Sequence, residues 1–106
     1  MAVDGLWISL GGFLTLTSNG NALTGSYSPA SGSQGSLPLV GWTNGTNDPS
    51  VGWTALGLAG GNDVTSWAGQ YYADGNPPTI IAFRIQQSAS VAGFPTAGTE
   101  VFVRSS

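Results

Sequence analysis

The sequence predicts an all-β protein, an eight-stranded antiparallel up-and-down β-barrel, and three observations carry that reading. Seventeen glycines and six prolines punctuate the 106 residues from end to end. At costs of about 1 and about 3 kcal/mol relative to alanine, they leave no room for a sustained helix. Between them lie short segments whose side chains alternate with the period of two that sorts a strand into two faces. Clusters of Asn, Gly, Asp, Ser and Pro, which accept positive φ or preset a bend, separate the segments.

Taken in order, the first two predicted strands are Gly5 to Ser9 and Phe13 to Ser18. "SNGN" turns the chain into Ala22 to Ser28, and "SPASGSQG" into Ser36 to Thr43. "NGTNDP" precedes Ser50 to Leu58, "AGGND" precedes Val64 to Tyr72, and "ADGNPP" leads into Pro78 to Gln86. Gln87 to Ala97 is a long connection without a strand pattern, the kind of loop that often carries function, and it leads to Gly98 to Arg104. Such strands form a sandwich or a barrel. Closure removes exposed edges, and about eight strands enclose an interior that side chains nearly fill or that holds one small ligand. In the sixth segment, "VTSWAGQYY", Thr65, Trp67, Gly69 and Tyr71 share one face. A hydroxyl, an indole and a phenol suit a neutral ligand with polar edges, or equally a core whose Trp and Tyr have internal partners. If Trp67 walls an open site, its indole is partly exposed to water.

A chain of this length makes one domain, 1–106. Two arginines, no lysine and five acids give a net charge of −3. Binding a nucleic acid or an anionic membrane needs several cations along one surface, so neither partner is expected. Cysteine and histidine are absent, which removes disulfides, thiolate and imidazole metal sites and the commonest general base. No metal, no cofactor and no catalysis are expected. Among enzymes only a paired-carboxylate glycosidase joining Asp63 to Glu100 remains, and it carries little weight. No segment reaches the roughly 18 apolar residues of a membrane helix, and "MAVDGLW" lacks the regions of a signal peptide. A soluble protein is expected, with the cytoplasm and secretion after removal of a signal peptide both open. Asn44-Gly45-Thr46 matches the glycosylation acceptor pattern, which chance supplies as readily in such a chain.

Three stretches resemble the avidin and streptavidin family of biotin-binding proteins. "ALTGSY" (Ala22 to Tyr27) is similar to the family's third strand, "VGWTAL" (Val51 to Leu56) to its fifth, and "TSWAGQYY" followed by "TIIAFRI" to its sixth and seventh. With Trp7 near the start and the ending "GTEVFVR", the resemblance spans nearly the whole chain. It implies a dimeric or tetrameric barrel with the ligand in its open mouth. It also implies roles: Tyr27 donates to the ureido carbonyl of biotin, Trp67 forms a wall, and the Thr65 hydroxyl meets the thioether sulfur. Asp63 stands where a serine meets the carboxylate tail, Glu100 where an aspartate accepts from a ureido nitrogen, and Phe83 where a wall tryptophan stands. Ser9 and Gly12 replace a first-loop asparagine and serine; Ser9, and Ser33 in the loop after the third strand, complete the candidates. In the same register Tyr27, Phe83 and Glu100 are expected to face inward beside Leu23, Ile81, Ile85 and Phe102. Ile80, Ala82, Val101 and Val103 are expected outward, an apolar face suited to another barrel.

Several family features are missing. Pro29 has no hydroxyl where a serine donates, Gly57 replaces a wall tryptophan, and Phe94 is the only candidate for a tryptophan lent by a neighbouring subunit. At about 1 to 3 kcal/mol for each unmet contact, affinity falls by many powers of ten. The expected function is a non-catalytic protein binding biotin at weakened affinity, or another small neutral ligand, in the barrel mouth. The alternatives are a carbohydrate-binding lectin, using its aromatic and Asn/Asp/Gly-rich loops "GWTNGTND" and "YYADGN", and a self-associating module. Trp53 and Trp42 read more readily as structural, with Trp42 at the surface.

Overall fold

Alternation and turn chemistry resolve into eight strands in the computed structural model, which describes residues 3–30, 35–44, 49–56, 64–87 and 96–105. They are β1 (Gly5–Ile8), β2 (Gly12–Asn19), β3 (Ala22–Pro29), β4 (Leu37–Thr43), β5 (Ser50–Leu56), β6 (Val64–Tyr72), β7 (Thr79–Gln87) and β8 (Thr96–Arg104). Each pairs antiparallel with the next, and β8 returns to β1, closing the barrel. The closing seam is short because β1 ends at Ile8; it pairs Trp7 with Arg104 and Ile8 with Val103. Among the described residues no helix is long and apolar enough to cross a membrane.

Inward side chains fill the barrel. Leu14, Leu16, Leu23, Ile80 and Phe102 are essentially inaccessible to water. One end is closed by Trp7: its indole N–H donates to the Val3 carbonyl at 3.0 Å, Tyr71 meets it edge-on at 6.0 Å, and the Arg104 guanidinium lies 4.5 Å from its ring centroid. Two glycines allow the walls to close tightly, since a Cβ on Gly41 would fall 2.0 Å from the Gly52 carbonyl oxygen and one on Gly69 would fall 2.1 Å from that of Ile81.

β7 corrects an expectation. The register sets Trp67 opposite Arg84 and Gly69 opposite Ala82, and directly opposed residues share a face. Ile80, Ala82 and Arg84 therefore point into the barrel, while Ile81, Phe83 and Ile85 point out, the reverse of the expected register, which set Ile80 and Ala82 outward and Ile81, Phe83 and Ile85 inward. On β8 the expected sorting holds: Glu100 and Phe102 are buried, and Val101 and Val103 are outward.

Candidate functional site

Glu100 organises the open end. It lies on the inner face of β8 and is 7% exposed, and a carboxylate so buried needs partners to offset its lost hydration. Four elements supply them. The Ser9 hydroxyl, just past β1, donates to Oε2 at 2.5 Å, and the Tyr27 hydroxyl of β3 donates to the same oxygen at 3.0 Å. The Trp67 indole N–H of β6 donates to Oε1 at 2.8 Å. Nε of Arg84, on β7, stands 3.7 Å from Oε1. Bonds to an ionised acceptor are the stronger kind, and three of them converge here on one carboxylate.

The turn between β1 and β2 is built around this contact. Ser9 Oγ accepts from the backbone N–H groups of Gly11 and Gly12, both at 3.1 Å, which aims its proton at Glu100. A Cβ on Gly11 would stand 2.7 Å from Glu100 Oε2, and one on Gly12 2.3 Å from the Ser28 carbonyl oxygen. Glycine at both positions lets the turn fold down onto the carboxylate and onto β3.

Aromatic rings floor the site. Tyr27 and Trp67 meet at 4.8 Å between centroids, Trp67 stacks on Trp53 at 5.6 Å, and Phe102 packs edge-on against Tyr27 and Trp53. Burial, reinforced by the negative charge of Glu100 and by the hydrogen bond to it, pushes the Tyr27 phenol well above its ordinary 10.0, so it stays a donor. Beside this floor a cavity of about 290 Å³ is lined by Leu10, Gly11, Arg84, Thr99, Glu100 and Val101. It opens where β8 runs on past the end of β1.

Of the residues singled out from sequence, the structure brings Ser9, Tyr27, Trp67 and Glu100 into one network. Thr65 is half-buried on the inner face of β6, two residues from Trp67. Phe83 is not part of the site: it is 51% exposed on the outside of the barrel, because the register gives its expected place to Arg84. Trp67 is 3% exposed rather than partly open to water, since Tyr27, Trp53 and Glu100 cover it. Ser33 and Asp63 lie outside the described residues, as do Gly57 and Phe94. Arg84 was missed, and its signal was its position: a lone cation in an otherwise apolar strand pattern.

No family model matches the chain, and no curated protein does. Solved structures match it over nearly its full length. Xenavidin superposes with a TM-score of 0.85 at 19% identity, covering 96% of each chain. A shwanavidin variant in complex with biotin gives a TM-score of 0.79 at 21% identity, covering 97% of each. Apo short afifavidin is 32% identical, with a TM-score of 0.75 over 94% of this chain and 93% of that one.

Proposed function

The chain belongs to the avidin family, and on that premise we propose that it is a non-catalytic binding protein taking biotin, or a small neutral relative, at the barrel mouth. One observation supports this reading most directly: Ser9, Tyr27 and Trp67 bring three N–H or O–H donors together on the acceptor Glu100, which gives them up to an entering ligand, at the edge of a cavity of about 290 Å³. A cyclic urea or amide carries the complementary set, a carbonyl oxygen for the donors and an N–H for the carboxylate. The affinity is weakened, because Pro29 and Phe83 bring no donor or wall to the mouth. Isothermal titration with biotin tests this, with an expected Kd of about micromolar or weaker against roughly 10⁻¹³ M or below for the tightest non-covalent sites. A protein that neither exchanges heat with biotin nor is retained on biotin-agarose would sink the reading.

A second reading rests on the outside of the barrel. Trp42, 70% exposed, stands over a groove of about 610 Å³ whose lining includes the hydroxyls of Thr24, Thr54 and Ser66. An exposed indole beside hydroxyls suits a sugar ring. Binding on a glycan array that Trp42→Ala abolishes, with no response to biotin, would favour a lectin.

The barrel also associates with a second copy of itself. Ile81, Phe83 and Ile85 on β7 and Val101 and Val103 on β8 form a continuous apolar outer face of the kind that marks an interface.

A further inference from the structure

Each donor at the mouth has a single proton to give, and Glu100 is the nearest acceptor for all three, the Gly12 carbonyl standing farther from the Ser9 hydroxyl at 3.3 Å. The Ser9 proton goes to Oε2 at 2.5 Å, the Tyr27 proton to Oε2 at 3.0 Å and the Trp67 proton to Oε1 at 2.8 Å. These donors come from three separate elements and converge on one planar oxyanion, which the β8 side chain supplies. The β1–β2 turn is shaped to that oxyanion, since any side chain on Gly11 would strike Oε2.

We infer that Glu100 is an internal ligand: its carboxylate fills an oxyanion cradle made by Ser9, Tyr27 and Trp67, and a guest oxygen enters only by displacing it. The displaced carboxylate has a place to go. Arg84 Nε stands 3.7 Å from Oε1, and both residues line the adjoining cavity of about 290 Å³. The chemical class the cradle accepts is therefore a small oxyanion, a carboxylate first of all, with a neutral carbonyl oxygen as the weaker guest. This goes beyond the proposed ligand reading and does not need biotin, because the guest in view is the protein's own side chain.

Glu100→Ala empties the cradle and leaves the Arg84 charge facing it. The probe is formate, the smallest carboxylate, compared with chloride at equal ionic strength by thermal unfolding. A ligand that binds only the folded state raises Tm, and at 0.2 M formate the rise for Glu100→Ala is expected to be saturable and on the order of 5 °C. The wild-type protein, whose cradle is filled, shows no such rise. Adding Tyr27→Phe to Glu100→Ala removes most of it. Should Glu100→Ala fail to fold in chloride, folding restored by formate is the same result in another form. The inference is overturned if formate acts equally on wild type and variant, if it leaves Glu100→Ala unchanged or unfolded, or if the response ignores Tyr27→Phe. None of these outcomes depends on whether biotin binds, so the two readings fail separately.

Discussion

Trp53 and Trp67 lie stacked and almost equally buried, yet their indole N–H groups meet different fates. That of Trp67 donates to Glu100, whereas that of Trp53 is buried without an acceptor among the described residues. Converting either to Phe removes similar aromatic area, but only Trp67→Phe strips a bond to a charged acceptor. We expect it to cost about 1.5 to 3 kcal/mol more stability than Trp53→Phe in urea unfolding; equal losses would contradict the network. Tyr27 makes a second test through pH. Its phenol is raised above 10.0 in the folded protein, by burial first and then by Glu100. The unfolded chain thus gives up this proton near pH 10 while the folded one keeps it. The resulting stability is fully present below pH 10 and is lost as pH rises from there toward the raised value, by up to about 1.4 kcal/mol per pH unit. Tyr27→Phe should lack this part of the alkaline slope, and identical slopes would show that the phenol is not held as described. Ser9, Tyr27, Trp67 and Glu100 were legible through the resemblance to the biotin-binding family, which assigned each a place in the pocket. That Glu100 bonds the other three was not, because contacts between residues as far apart as Ser9 and Glu100 depend on closure of the whole sheet.

At the level of the strand, all eight segments were readable from alternation and turn chemistry; β7 and β8 reach Gln87 and Thr96, inside the connection expected to lack a strand pattern, and the larger error was the face of β7. "TIIAFRI" alternates two sets that both begin apolar, Ile81, Phe83 and Ile85 against Ile80, Ala82 and Arg84. The register carried over from the resemblance sends the first set inward, and apolar character does not oppose it. The structure decides otherwise through the β6–β7 hairpin, which brings Tyr72 opposite Thr79 and so fixes Trp67 opposite Arg84. A hairpin shorter or longer by one residue would have turned every side chain of β7 to the other face. Close approach of neighbouring strands leads to a further prediction. Gly69→Ala puts a methyl 2.1 Å from the Ile81 carbonyl oxygen and 2.8 Å from the Ala82 side chain, which forces β6 and β7 apart. The expected cost is about 1 to 3 kcal/mol, read as a lower urea midpoint. Gly20→Ala is a poor control because φ there is +63°; Gly98→Ala, whose Cβ would meet open space, should change stability far less.

For the whole molecule, the flip of β7 relocates apolar surface instead of removing it. Had Phe83 pointed inward, the mouth would have gained an aromatic wall and the β7–β8 exterior would have lost its exposed ring. As folded, the mouth receives the Arg84 charge, which balances Glu100, and the exterior receives Ile81, Phe83 and Ile85 next to Val101 and Val103. One register choice thus sets both what the mouth can hold and which face a second barrel can cover. A chain with so few charges has little else to keep such a face from associating, and burial of apolar area is worth about 25 cal/mol per Å². Light scattering of the purified protein is therefore expected to give a multiple of 10.7 kDa. Phe83→Glu places a charge in the centre of that face without touching the barrel interior, so it should shift the mass toward 10.7 kDa while leaving the far-ultraviolet β signature unchanged. Val40→Glu, which charges an exposed apolar side chain on β4, across the barrel from this face, should leave the mass as it was. A wild-type protein that is monomeric at every concentration, or a Phe83→Glu variant that keeps the wild-type mass, would mean that this face is not where the copies meet.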